Sequence, residues 1–203
     1  MNANVMRRYI ILMIVLIVVV MLGSHAFDSF TARAPGDLNT ELGVQRMEDG
    51  KFDEALGYFA DALNEQPDHR GALMGRALVF IQTDRHDDAI AELSYLIDFS
   101  NRTLSADDST GRGVLAAAYA NRGIVHDRAG HHEKAFADYV AALRTDEESV
   151  DEPGWIHKVL YGIPNPSSVR KRAAYLQEQF KLPPEQRLLR VPAIDARQRM
   201  RKP

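Results

Sequence analysis

The chain begins with a continuous apolar run and then changes to a pattern with helical periodicity. Residues 10–22 read IILMIVLIVVVML, without a single polar residue, whereas a surface helix would show polar positions every three or four residues. Thirteen apolar residues are typical of a signal peptide, and the nineteen residues of 9–27 are enough to cross a thin bilayer. The pattern predicts an N-terminal hydrophobic helix within a signal anchor or signal peptide over 1–27, followed by a linker over 28–35.

The charged residues before this run predict its orientation in a membrane. Arg7 and Arg8 precede it, and the positive-inside rule keeps such a pair on the cytoplasmic side. A retained anchor therefore places the rest of the chain across the membrane. The small-x-small sequence that ends at Ala26 offers a cleavage site, so release by signal peptidase stays open as the alternative.

Beyond residue 35 the apolar positions recur with a period of 34 residues. The copies span 36–69, 70–103 and 116–149, and each places small residues at its eighth and twentieth positions and a large apolar residue at its twenty-fourth. Small residues at these positions let two helices of a pair approach closely. The predicted packing residues are Gly43, Ala55, Phe59, Ala77, Ala89, Gly123, Ala135 and Tyr139.

This pattern resembles the tetratricopeptide repeat (TPR) family, whose signature has the same period and the same small positions. The resemblance implies an all-α fold, a right-handed superhelical solenoid of antiparallel helix pairs. Its membrane-anchored or exported bacterial members have a similar layout. They imply a single inner-membrane pass with the C-terminal body in the periplasm, or a secreted periplasmic protein after signal cleavage.

Three segments depart from the repeat. Residues 104–115 are an insertion between the second and third repeats, and its polar segment 104–113, which carries two glycines, predicts a loop. Residues 150–182 form a degenerate fourth helix pair, in which Val169, Ala173, Leu176 and Phe180 share one helix face and cap the core. Residues 183–203 are a basic, proline-containing tail.

The resemblance also implies a concave binding surface, lined by the first helix of each pair. Chaperone-binding members hold a peptide carboxylate with Lys, Asn and Arg side chains at the fifth and ninth positions. Here those positions hold Thr40, Val44, Met74, Leu78, Ala120 and Ile124. The carboxylate clamp is therefore missing, and an apolar groove is predicted instead. Its lining residues are Val44, Met47, Met74, Leu78, Ile81, Ile124 and Arg128.

The amino-acid composition limits the kinds of catalytic and binding site that the chain can form. The chain has no cysteine, which excludes disulfides and thiol catalysis, and it contains no recognisable catalytic motif. We therefore predict no enzymatic activity, no catalytic residues, no cofactor and no metal. A histidine-rich stretch over 126–133 is interpreted as structural, because its neighbouring turn residues are poorly placed to converge on one ion.

Charge divides the chain. Residues 28–150 carry 23 acidic and 12 basic residues, whereas 151–203 carry 5 acidic and 11 basic residues. The basic tail is predicted to dock on the acidic repeats or on an acidic partner. It has no aromatic side chain to stack on bases, so we predict no nucleic-acid partner.

These patterns predict a protein–protein interaction scaffold tethered to the membrane through residues 9–27. Its groove is expected to hold an apolar or amphipathic segment of another protein and to assist assembly or stability of an envelope complex. Two alternatives remain open. One is an exported structural subunit, cleaved after Ala26 and permanently bound in a larger assembly; the other is an organelle-surface receptor with a cytosolic repeat body.

Overall fold

A computed structural model of the chain describes residues 10–21, 33–150 and 169–190. The chain divides before Pro35 into two units. In the first unit, residues 10–21 form helix α1, and its apolar side chains are exposed. Among the helices in the described ranges, none combines the length and the hydrophobicity needed to cross a membrane. The membrane anchor therefore stays a prediction from the sequence.

All regular secondary structure in the described part of the second unit is helical, which confirms the all-α fold class for those residues. Its α-helices are α2 (Asp37–Glu48), α3 (Phe52–Glu65), α4 (Arg70–Gln82), α5 (His86–Thr103), α6 (Ser109–Arg128), α7 (His132–Thr145), α8 (Glu147–Val150) and α9 (Val169–Phe180). A short 3₁₀ helix follows at Pro184–Gln186.

Helices α2 to α7 form three antiparallel pairs. Short turns join α2 to α3, α4 to α5 and α6 to α7, and tight turns of this length reverse the chain direction. Each turn contains one residue with positive φ: Gly50 at 74°, Asp84 at 57° and Gly130 at 82°. Glycine adopts this conformation without steric cost, and aspartate is among the few other residues that tolerate it. The first helices of the pairs, α2, α4 and α6, lie side by side in one layer.

Within each pair, a small residue on the first helix meets a ring on the second. A Cβ atom added to Gly43 would lie 2.6 Å from Cε1 of Phe59, and one added to Gly123 would lie 2.8 Å from Cδ1 of Tyr139. Both distances are too short for a real contact. All eight predicted packing residues are buried. The close approach of the helices therefore depends on glycine at these two positions.

The core divides into two hydrophobic clusters. The first spans α2 to α6 and includes Phe59, Leu93 and Leu96. The second joins α6 and α7 to α8 and α9. Val169, Ala173 and Leu176 of α9 are buried in this second cluster, and the ring of Phe180 meets Phe136 of α7 edge-on, with 5.7 Å between centroids. Helix α9 thus covers the outer face of the third pair.

The predicted loop over 104–113 is wrong for its second half. Helix α6 begins at Ser109, so only residues 104–108 connect it to α5. The Asp108 side chain caps this helix by accepting the Gly111 N–H at 2.7 Å, and it also accepts from Arg70 Nη1 at 2.6 Å. Gly111 is buried against Arg70 and Leu104, where a Cβ atom would clash. The segment therefore resembles a loop in composition because its aspartate caps a helix and its glycine is required for close packing.

The Asp108 contacts predict a pH dependence. Hydrogen bonds from Arg70 and from the Gly111 N–H hold the pKa of Asp108 below its ordinary value of 3.8. A group whose pKa is lowered in the folded state stabilises the fold at pH values above its unfolded-state pKa, and this stabilisation is lost as the pH falls. At pH 6 the melting temperature of the wild type should therefore be higher than that of Asp108→Asn, and the difference should shrink as the pH falls below about 4. Thermal unfolding followed by circular dichroism, at pH 6 and at a pH below about 4, measures this difference in melting temperature.

Asp107→Asn is the matched control, since Asp107 neither caps α6 nor pairs with Arg70. It removes the same charge from the same connector and should lower the melting temperature much less at pH 6. An Asp108→Asn effect that is equal at both pH values would contradict the assignment.

Candidate functional site

The layer formed by α2, α4 and α6 corresponds to the predicted concave surface. Five of the seven predicted groove residues are not accessible on it. Met47, Met74, Leu78, Ile81 and Ile124 each expose 5% or less of their surface. They belong to the two hydrophobic clusters.

The physical reason for this correction is visible at Met74. Its sulfur accepts from Asn121 Nδ2 of α6 at 3.5 Å, so this side chain lies at the contact between two first helices. Large apolar residues at such a contact pack against the neighbouring helix, and little of their surface is left for a ligand.

Accessible side chains on this layer lie mostly on α2. Asp37, Glu41, Val44 and Glu48 are spaced i, i+4, i+7 and i+11, which places them on one face of the helix. Glu41 and Glu48 are exposed, and the other two are half-buried. We call these four residues the acidic stripe. Of the predicted groove residues, only Val44 in the stripe and the exposed Arg128 at the end of α6 keep substantial accessible surface.

One end of the acidic stripe is fixed to α4. His69 caps α4 by accepting the Ala72 N–H at 3.2 Å, and its Nε2 lies 2.9 Å from Asp37 Oδ1. Thr40 Oγ1 lies 3.3 Å from His69 Nδ1. These contacts orient α2 against α4 and hold the stripe at the edge of the first-helix layer.

The positions of a carboxylate clamp carry no cation. Thr40 is engaged with His69, Val44 is half-buried, and Met74, Leu78, Ala120 and Ile124 are buried. These positions therefore hold no clamp cation, and the exposed acids of the layer, Glu41 and Glu48, lie at other positions of α2.

The histidine-rich stretch contributes two residues, Asp127 and His132, to a buried polar cluster. Asp127 and Arg172 are 1% and 2% exposed, and Arg172 donates from Nε at 2.6 Å and from Nη2 at 2.8 Å. Asp127 also accepts from the Tyr139 hydroxyl at 3.2 Å, and His132 Nδ1 lies 2.9 Å away. Burial raises the pKa of Tyr139 well above 10.0, so its hydroxyl stays protonated and donates. This cluster links α6, α7 and α9.

Within the ranges that the structure describes, no group of three or more His, Asp and Glu side chains is arranged to hold a metal ion. Asp127 instead carries an ion pair, and the rings of His126 and His131 meet edge-on at 5.9 Å.

Sequence reasoning missed an ion pair that recurs in two repeats. Arg76 donates to both carboxylate oxygens of Glu92, at 3.0 and 2.9 Å. Arg122 does the same to Asp138, at 2.9 and 2.6 Å. Each arginine occupies the seventh position of its repeat and each acid follows sixteen residues later. This repeated spacing was a signal that could have predicted the pairs, which tie the two helices of a repeat together.

The start of the C-terminal tail contacts α6 and α9. The Tyr175 hydroxyl donates to the Leu188 carbonyl at 2.6 Å, and Arg172 Nη2 donates to the Leu189 carbonyl at 2.8 Å. Arg190 Nη2 donates to the Arg128 carbonyl at 2.9 Å. The predicted docking of residues 191–203 lies outside the described residues.

Comparison with known proteins identifies the repeat. Residues 40–102 match the family model described as tetratricopeptide repeat. This segment is therefore similar in sequence to tetratricopeptide repeats. The chain is also 27% identical over 102 residues to tetratricopeptide repeat protein 6 of Homo sapiens, a match that covers 50% of the chain and 17% of that relative. The matched segment therefore spans about one sixth of that relative's length.

A solved structure supports the same fold over a longer segment. The first TPR of Spaghetti (RPAP3), bound to the HSP90 peptide SRMEEVD, superposes with a TM-score of 0.51. The match covers 73% of this chain and 94% of that one, at 16% sequence identity. At this identity the likeness concerns the fold alone. The membrane-anchored bacterial type stays a prediction, because these comparisons bear on the repeats only.

Proposed function

We propose that this protein is a non-enzymatic adaptor that binds a segment of another protein on the layer formed by α2, α4 and α6. The acidic stripe carries the proposal, because it combines exposed carboxylates with a half-buried apolar residue at the edge of that layer. A solved relative in fold is bound to a peptide, which supports a protein segment as the ligand.

The chemistry of the surface selects the kind of segment. Carboxylates at the stripe favour Lys and Arg side chains and disfavour an acidic peptide such as SRMEEVD. Val44 adds an apolar contact beside Glu41 and Glu48. The partner that fits is therefore a basic amphipathic segment, which modifies the apolar ligand expected from the sequence.

The membrane tether is the second part of the proposal. The apolar residues 10–21 are exposed in α1, and exposed apolar surface of this extent calls for a membrane or another apolar environment. Tethering through 9–27 would hold the adaptor beside membrane proteins and assist assembly or stability of an envelope complex. Cleavage after Ala26 would give the exported structural subunit instead.

Site-specific photo-crosslinking tests the binding surface. A photoreactive residue placed at Glu48 or Gln82, both exposed at the ends of first helices, should form a covalent adduct with the partner protein in cells. The crosslinked peptide, sequenced by mass spectrometry, should be basic and amphipathic. The physical reason is that crosslinking requires direct contact at that position.

Matched controls use exposed positions on second helices. Asp61 of α3 and Asp98 of α5 are exposed, acidic and outside the first-helix layer. Photoreactive residues there should give no adduct. Equal adducts at all four positions, or adducts at Asp61 and Asp98 alone, would place the partner on a different surface.

A further inference from the structure

The turn between α6 and α7 contains a buried imidazole. His126 lies in the last turn of α6 and exposes 8% of its surface, and its carbonyl accepts the His131 N–H at 2.8 Å, which closes the turn. Within the described part of the chain, its buried Nδ1 atom has no hydrogen-bond partner. Burial without a partner favours the neutral form of an imidazole over the charged form.

The charges around His126 do not offset this burial. Burial lowers the pKa of His126 below its ordinary value of 6.5, although the Asp138 carboxylate acts in the opposite direction. Both oxygens of Asp138 accept from Arg122, at 2.9 and 2.6 Å, so its charge is already paired. Three basic side chains lower the pKa of His126 further: Arg122, Lys134 and His131. A proton on His126 would therefore enter a desolvated site with cationic neighbours.

The corresponding position of the second repeat holds a ring that cannot titrate. His126 is the eleventh residue of the repeat that starts at 116, and Phe80 is the eleventh residue of the repeat that starts at 70. Phe80 is half-buried and packs against the first hydrophobic cluster. An apolar aromatic ring therefore fits this position, and the third repeat differs from the second by an ionisable group at a packing site.

The same turn holds the C-terminal part of the described chain. Asp127, which follows His126, accepts two hydrogen bonds from Arg172 of α9. The carbonyl of the next residue, Arg128, accepts from Arg190 Nη2 at 2.9 Å. The buried imidazole is therefore adjacent to the points where α9 and the segment after it attach to α6. Displacement of the turn would weaken both attachments.

We propose that the α6–α7 turn is an acid-sensitive hinge, in which protonation of His126 opens the turn and loosens α9 and residues 187–190 from the third pair. The opened turn exposes His126 to water and binds the proton with ordinary affinity, whereas the closed turn binds it more weakly. The closed turn is therefore most stable above pH 6.5 and loses stability as the pH falls through this value. The loss levels off once His126 is also protonated in the closed turn.

Hydrogen exchange of the full chain at pH 7.5 and pH 5.5 tests this hinge. After correction for the intrinsic pH dependence of amide exchange, rates in peptides covering 126–132 and 169–180 should rise roughly threefold or more at pH 5.5, because opening takes up a proton. Peptides of α2 and α3 should keep their corrected rates, since each repeat contacts mainly its neighbours. Unchanged rates in the turn, or an equal rise over all helices, would overturn the proposal.

His126→Phe is the variant that isolates the proton. It keeps an aromatic ring and introduces the residue that the second repeat has at this position. Its corrected exchange rates in the turn and in α9 should be the same at both pH values. A persistent threefold rise in this variant would contradict the hinge. NMR titration of the histidine ring signals in the wild type needs no substitution, and a His126 ring that titrates above pH 6.5 would contradict it too.

The two neighbouring histidines provide matched controls. His131 is exposed, and Nδ1 of the buried His132 lies 2.9 Å from Asp127 Oδ1. His131→Asn and His132→Gln should both keep the rise in exchange at pH 5.5, since each leaves His126 in place. Loss of the rise in His132→Gln, together with its persistence in His126→Phe, would assign the proton to the Asp127 cluster and overturn the proposal.

Discussion

Replacing Arg172 by alanine is expected to cause the largest loss of stability among single changes in the third repeat and its cap. The change leaves the carboxylate of Asp127, only 1% exposed, without its bidentate partner. Removing one member of a buried ion pair costs about 3–5 kcal/mol, because the remaining charge stays desolvated. Urea unfolding followed by circular dichroism at 222 nm measures this loss.

The control is Arg170→Ala on the same helix. Arg170 pairs with Glu147 at the surface, where the two side chains are 49% and 56% exposed, and exposed pairs contribute about 0–1 kcal/mol. Combining Arg172→Ala with Asp127→Asn should recover part of the loss, since the buried charge is removed and the amide oxygen still accepts from Tyr139. Equal losses for Arg170→Ala and Arg172→Ala would show that the buried pair has no special role.

Hydrogen exchange would locate the effect. In an array of repeats, each unit contacts mainly its neighbours, so stability is distributed locally. Arg172→Ala should accelerate amide exchange in α7 and α9, which the Asp127 cluster joins, and change α2 and α3 little. Uniform acceleration over all helices would indicate a single cooperative unit.

The sequence predicted the elements whose signal is local and repeated. Helices α2 to α5 follow from a 34-residue period with small residues at fixed positions, and α9 follows from Val169, Ala173 and Leu176 on one face. The Asp127–Arg172 pair could not be predicted in this way. The two residues are 45 positions apart, in different structural units of the array, and nothing in the period links them.

The groove was mispredicted for a related reason. The resemblance fixed which positions lie on the first-helix layer, but it did not fix how tightly neighbouring helices pack there. Met74 and Ile81 are large enough to fill the contact between first helices and are therefore buried. Glu41 lies outside the lining positions taken from the resemblance and is exposed. The accessible chemistry of the layer is therefore acidic, although its sequence pattern is apolar.

Phe59→Ala is the second change with a large expected effect. Phe59 is completely buried and its ring lies between Gly43 of α2 and Gly75 of α4, so it joins the first repeat to the second. Truncating a buried phenylalanine costs about 3–5 kcal/mol, of which the cavity is a large part. Urea unfolding measures the change, and Tyr58→Ala, at a half-buried neighbouring position, should cost much less.

A double-mutant cycle with Gly75→Ala tests whether the ring is the reason for the glycine. In the wild type, a Cβ atom at position 75 would clash with the Cζ and Cε1 atoms of Phe59, so Gly75→Ala should destabilise the protein. Once Phe59 is alanine, the added methyl group enters the cavity, and alanine also favours the helix over glycine by about 1 kcal/mol. Gly75→Ala should therefore become stabilising in that background. The change of sign measures the coupling between the two positions. If Gly75→Ala destabilised the protein equally in both backgrounds, a contact other than the Phe59 ring would be the reason for glycine at this position of α4.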